Sequence, residues 1–256
     1  MKVLTEDRGA VRILTINRPE VHNCVDGETA ERLAEAIAAF GADDGARVLV
    51  VTGAGDKSFC SGADLKNAAT LLSHEWFDRT GPMGFARLDP GKPTIAAVNG
   101  YCFAGGFELA AWCDFRIAGE NAEFGCLSRR WGVPYTDGGT QRFARIMGLG
   151  NALYMLETGM RIDARRALAM GFLQEVVPAG EALARALDLA QRMAEYPNQP
   201  GIRADRAGAL ATFGLSIEDG LRFEAEHSLA TVADPEMAAG LSKYAARERP
   251  ESPRPA

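Results

Sequence analysis

A carboxylate stands in the first turn of an expected helix within the run Ala97-Val98-Asn99-Gly100-Tyr101-Cys102-Phe103-Ala104-Gly105-Gly106-Phe107-Glu108-Leu109-Ala110. An apolar, strand-like stretch ends at Asn99-Gly100, small residues follow, and Gly105-Gly106 open a helix that carries Glu108. The free backbone N–H groups of a helix start can hold a developing negative charge. A carboxylate beside them is a ready general base. A base and an oxyanion site on one turn are the parts needed for chemistry through an enolate. A second turn, Phe59-Cys60-Ser61-Gly62-Ala63-Asp64-Leu65, is made of small residues that let a ligand approach the backbone. Taken alone, it reads equally as a tight loop with Asp64 as a helix N-cap.

Other chemistries find no support in the residues. Gly53-Ala54-Gly55-Asp56-Lys57-Ser58 follows a strand, but its spacing fits neither the Walker loop nor the dinucleotide fingerprint, so a plain loop is expected. The three histidines, His22, His74 and His227, lie far apart without ligand or triad context. There is no Gly-x-Ser-x-Gly elbow. Cys102 and Cys113 flank Glu108 without a histidine base nearby and read as small buried hydrophobes.

The elements that must position these turns are a set of strands followed by a run of helices. Val11–Ile16 alternates as a strand and stops at Asn17-Arg18-Pro19. Asp26 precedes a helix with Leu33, Ala36, Ile37 and Phe40 on one face. Residues 47–52, 94–98 and 114–118 read as strands, with a short helix over 107–113. The alternation predicts an α/β architecture with a mostly parallel sheet. Beyond Gly138, helices are expected over 140–147, 152–158, 163–170 and 181–195, with Gly148, Gly159 and Gly171 as stops and a short strand over 173–177. Tyr196-Pro197-Asn198-Gln199-Pro200-Gly201 reads as a linker. Helices over 203–213, 217–232 and 235–247 follow, then a Pro-rich end over 250–256 expected to fray. A boundary near 198 divides the chain into an α/β core, 1–197, and a helical region, 198–256.

The 256 residues are 47% hydrophobic and 24% charged, the balance of a globular protein. A net charge of -6 offers no basic footprint for nucleic acid. No apolar run is long enough for a membrane span, and residues 1–6 lack the basic start and apolar core of a signal peptide. Five cysteines at 24, 60, 102, 113 and 126 form no CxxC pair, which fits free thiols in a reducing cytoplasm and neither a disulfide framework nor a metal site.

The two turns together, followed in order by Cys113-Asp114, Ala122-Glu123-Phe124-Gly125, Gly132, Gly138-Gly139-Thr140-Gln141-Arg142, Thr158-Gly159 and Val176-Val177-Pro178, resemble the enoyl-CoA hydratase/isomerase (crotonase) family over nearly the whole chain. The resemblance implies a crotonase-like spiral of ββα units with a helical C-terminal region used in trimer assembly. It implies acyl-CoA thioesters as substrates, no metal or redox cofactor, and a homotrimer or dimer of trimers. By the same resemblance the backbone N–H groups of Ala63 and Gly105 form the oxyanion hole, and Ser61, Ala63, Asp64 and Leu65 line the CoA path. Lys66 reads as a solvated charge.

Hydratases of this family commonly place two glutamates around a water. Glu108 matches the first. Counting four residues from Phe124, as the family pattern requires, gives Ser128, whose hydroxyl cannot replace a carboxyl as proton donor. Asp137 is the expected substitute, although its register is one residue from the aspartate of some relatives. It reads equally as the N-cap of the helix after it. The expectation is an enoyl-CoA hydratase-like lyase using Glu108 and Asp137. An acyl-CoA isomerase with one effective carboxylate and a non-catalytic acyl-CoA binding protein stand as alternatives. Trp76, Phe77, Met83 and Phe85 are candidates for an apolar acyl pocket.

Overall fold

After an opening hairpin, strand pairs repeat along the chain, and each of these later pairs divides its strands between two sheets. The protein is described from a computed structural model, which covers residues 1–72 and 79–246. His74, Trp76, Phe77 and the segment 250–256 lie outside the described residues. The first sheet runs in the order β1 (Val3–Arg8), β2 (Val11–Ile16), β3 (Val48–Gly53), β5 (Thr94–Val98), β7 (Phe115–Gly119) and β10 (Glu175–Val177). The second runs β4 (Ser58–Cys60), β6 (Tyr101–Phe103), β8 (Glu123–Gly125) and β9 (Arg161–Asp163). β1 pairs antiparallel with β2, and β9 antiparallel with β8; the other pairings are parallel. The chain therefore steps from the large sheet to the small one at β3–β4, β5–β6 and β7–β8, which makes the spiral.

The two faces of the large sheet are both covered, so its central strands are continuous apolar runs. β3 and β5 are buried at every position. Alternate residues Val48, Val50, Ile95, Ala97 and Ile117 pack against α6 (Ala182–Glu195) through Ala186, Leu187 and Ala190. The opposite face, with Leu14, Leu49, Val51 and Ala96, meets α1 (Gly27–Ala42) through Leu33, Ile37 and Phe40. Asp26 caps α1 by accepting the Thr29 N–H, as expected of its position.

α2 (Gly105–Trp112) is fully buried. Phe107 holds it by stacking on Phe143 of α3 (Gly139–Met147) at 4.3 Å and meeting Phe172 edge-on at 4.5 Å. α4 (Leu149–Thr158) and α5 (Ala164–Ala169) follow. The expected linker is shorter than its composition suggests. Gln199-Pro200-Gly201 already form the first turn of α7 (Gln199–Ala211), because Asn198 caps that turn with its side chain and Pro200 sits where a helix needs no N–H. α8 (Ile217–Val232) and α9 (Pro235–Ala245) complete the described chain. These last helices are tied to the core by charge: Arg206 contacts Asp114 at 2.9 Å and Asp89 at 2.8 Å, and Arg47 contacts Glu236 at 2.9 Å. α8 and α9 bury no residue and expose Ile217, Leu221, Leu229 and Tyr244. No described helix is long and apolar enough to cross a membrane.

Candidate active site

The two small-residue turns meet. Gly62 (φ +93°) sits so close to the start of α2 that a Cβ on it would lie 2.8 Å from the Gly105 nitrogen. Ala104, the N-cap of α2, holds a positive φ of 51°, a strained conformation for a residue with a side chain. That strain turns the chain out of β6 and directly into the helix. Among the described residues, the N–H groups of Ala63 and Gly105 donate to no acceptor. Both belong to the wall of a cavity of about 240 Å³.

The loop carrying Ala63 is braced from below. Arg18 contacts Asp64 at 3.1 Å and Asp26 at 3.3 Å, and Asn67 donates to Asp64 at 3.0 Å. Asp64 thus acts as a cap and a brace, and it is not part of the cavity wall, whereas Ser61, Ala63 and Leu65 are. The Gly53-Ala54-Gly55 turn is the plain loop its spacing predicts: Asn23 donates to the Ala54 carbonyl, and Asn99 to those of Gly53 and Gly55.

Glu108 and Asp137 line the same cavity. Glu108 Oε1 accepts the backbone N–H groups of Asp137 at 2.9 Å and Gly139 at 2.8 Å. This approach requires glycine at 139, where a Cβ would fall 2.8 Å from Glu108 Cγ. Asp137 does not cap the helix after it: Gly138 is the N-cap of α3, and no side chain bonds there. Asp137 Oδ1 instead accepts the Met83 N–H at 3.0 Å. Arg142 of α3 ties the site together by donating to the carbonyls of Asp137 at 3.0 Å and Ala86 at 2.6 Å.

The electrostatics of the pair follow from burial. Glu108 is 3% exposed and Asp137 2%. Burial, and then the neighbouring Asp137 charge, push the Glu108 carboxyl up to about 8 against the two N–H donors that favour its ionised form. Burial pushes Asp137 up to about 6, opposed by the Met83 N–H. Between those values the pair holds one proton, so one acid and one base face the cavity together. The cysteines take no part: burial holds the thiols of Cys60, Cys102 and Cys113 neutral. Nor do the described histidines, since His22 meets the edge of Tyr101 and His227 stacks on Phe223.

Of the apolar candidates, Met83 lines the cavity and Phe85 is core. Sequence reasoning did not single out the positions of Phe103, Leu127, Trp131 and Thr136 in the wall, or the Arg142 clamp. The clamp's partner, the Ala86 carbonyl, is 56 residues away and leaves no local signal. A larger cavity of about 640 Å³ behind Arg142 holds Asp114, whose carboxylate is already paired with Arg206.

A family model described as enoyl-CoA hydratase/isomerase matches residues 6–251. Crotonyl-CoA hydratase of Syntrophomonas wolfei is 35% identical over 228 residues, 88% of this chain and 87% of its own. Carnitinyl-CoA dehydratase of Salmonella typhi is 37% identical over 219 residues, covering 84% and 82%. The crystal structure of enoyl-CoA hydratase from Mycobacterium tuberculosis H37Rv superposes with a TM-score of 0.90 at 29% identity, over 98% of each chain.

Proposed function

Because this chain belongs to the enoyl-CoA hydratase/isomerase family, we propose that it is a hydro-lyase that adds water to a 2-enoyl-CoA thioester and removes it from the 3-hydroxyacyl product. The observation that carries the reading is the buried pair Glu108 and Asp137 facing one cavity beside the two unbonded N–H groups of Ala63 and Gly105. The thioester oxygen accepts those two donors, each worth ~3 kcal/mol at a site where charge develops. Water attacks Cβ and gives its proton to the Glu108 carboxylate. The π electrons move onto the thioester oxygen, and the Asp137 carboxyl returns a proton to Cα. Hydration draws on the form of the singly protonated pair in which Asp137 holds the proton; after addition, Glu108 is protonated and Asp137 ionised, the arrangement that burial favours in the ligand-free site. The reverse reaction starts from that state, with Glu108 protonating the departing hydroxyl. These steps move protons and water alone, so the proposal calls for no metal or redox cofactor.

The test is the loss of enoyl absorbance when the protein meets crotonyl-CoA and longer or aromatic enoyl-CoAs. Hydration that falls by about 10²–10⁴ in Asp137→Asn, with KM little changed, supports the two-carboxylate reading. Exchange of Cα–H for solvent deuterium without hydration assigns an isomerase. Binding without exchange or hydration assigns a non-catalytic acyl-CoA binding protein. We also propose that the exposed apolar residues of α8 and α9 are covered between copies in a homotrimer or dimer of trimers.

A further inference from the structure

Two hydroxyls of the site, Ser128 Oγ and Tyr135 OH, make no hydrogen bond of good geometry within the protein, although the Tyr135 hydroxyl approaches Ser128 and Cys126. Both oxygens are closed off from bulk solvent. A buried hydroxyl without a well-formed hydrogen bond is costly and rare in folded proteins, and Ser128 can complete its bonding with a group bound in the cavity. Ser128 belongs to the cavity wall that also holds Glu108 and the two donor N–H groups. Tyr135 stands behind it, its ring edge-on to Phe143 at 5.7 Å. The Tyr135 hydroxyl lies near Ser128 and Cys126 and within the field of Glu108. Burial pushes the phenol well above its ordinary range, so it remains a donor.

Asp137 is held toward Met83. Ser128 lines the cavity together with Glu108, whose Oε1 is already occupied by two backbone N–H groups, and Tyr135 is close enough to interact with both. An oxygen bound there meets a hydroxyl donor from Ser128 and the second oxygen of Glu108. In the hydration reading above, the oxygen that meets Glu108 is the one on Cβ. We propose that Ser128, backed by Tyr135, forms a hydroxyl subsite that binds an oxygen on Cβ of the acyl chain. The occupant is the hydroxyl of a 3-hydroxyacyl thioester, or the water that becomes it. Ser128 and Tyr135 are positioning residues here; neither takes the substrate's proton. The inference rests on the acyl-CoA reading above.

The experiment compares two CoA thioesters that cannot be hydrated, acetoacetyl-CoA with an oxygen on Cβ and butyryl-CoA without one. Calorimetric Kd values are measured for the wild type, Ser128→Ala and Tyr135→Phe. The expected result is tighter binding of acetoacetyl-CoA by the wild type. Its preference falls about three- to tenfold in Ser128→Ala, the effect of one hydrogen bond. Tyr135→Phe lowers the preference in the same direction. Butyryl-CoA affinity stays within about twofold in both variants, which also reports an intact site. The proposal is overturned if the preference is the same with and without the Ser128 hydroxyl, or if the variants weaken both ligands equally, as a purely structural role for Tyr135 against Cys126 would give. If neither thioester binds the wild type, the acyl-CoA reading itself fails, an outcome distinct from equal binding of the two.

Discussion

Replacing Glu108 by Gln should make the protein inactive and, at alkaline pH, more stable. The Gln side chain keeps an oxygen that can accept the Asp137 and Gly139 N–H groups, so the local geometry survives. What it removes is a titration. In the folded protein Glu108 loses its proton near 8, but in the unfolded chain near 4.5. Between those values the native state binds a proton that the unfolded state does not, so stability falls as pH rises. The contribution is fully present below about 4.5 and is lost as pH passes through about 8. The difference between the two values corresponds to about 5 kcal/mol. Part of it reflects repulsion from Asp137, which the paired site shares, so about 2–5 kcal/mol is the expected gain of Glu108→Gln at pH 9. For a chain of this length that is roughly 5–15 °C in Tm. The assay is thermal unfolding of wild type and variant side by side at pH 5, 7 and 9. The quantity read is the difference in Tm, since titrations common to both chains cancel. Near zero at pH 5 and several degrees in favour of the variant at pH 9 is the expected pattern. A difference independent of pH, or one that favours the wild type as pH rises, would refute the argument that Glu108 is buried as a neutral acid.

The same pair predicts a bell-shaped pH dependence of kcat/KM for hydration, with limbs near 6 and 8: below the first both carboxyls are protonated and no base remains, and above the second no acid remains. A plateau continuing well above pH 9 would show that a neutral carboxyl is not required. Gly62→Ala places a methyl 2.8 Å from the Gly105 nitrogen and strains a φ of +93°, so kcat should drop by about 10²-fold while far-ultraviolet circular dichroism is unchanged. Unaltered kcat in that variant would remove the Gly105 N–H from the mechanism. Light scattering should give three or six chains per particle, and Ile217→Asp with Leu221→Asp on the exposed face of α8 should lower that number. A monomeric wild type would end the assembly proposal.

Much of this protein is readable from local pattern. The strands over 11–16 and 94–98 and the helix over 217–232 fall where local pattern places them. The strands of the small sheet do not show this way. β4, β6, β8 and β9 are three residues each, shorter than any window in which alternation can be recognised, and they exist because neighbouring turns of the spiral pair them. β1 was likewise missed: it exposes five of its six residues and is held by its pairing with β2.

The site divides along the same line. Glu108 at the start of a helix, the small-residue turn at 60–63 and their order along the chain are properties of the sequence alone; they offer a candidate base and a close backbone approach, and the ligand class is what the family resemblance implies. What Asp137 does could not be read locally, since an Asp before a helix is as good a cap as a catalytic group. Tertiary structure removes the cap reading: Gly138 takes the cap position, and the Met83 N–H, 54 residues away, holds the Asp137 carboxylate in the cavity wall. The raised acidities of the two carboxyls, the Arg142 clamp and the poorly bonded hydroxyls of Ser128 and Tyr135 are likewise decided by distant parts of the chain. Residue types and spacing determine what chemistry is available. Burial and long-range contacts decide which of those groups share a proton, because desolvation and hydrogen bonding depend on neighbours that only the folded chain brings together.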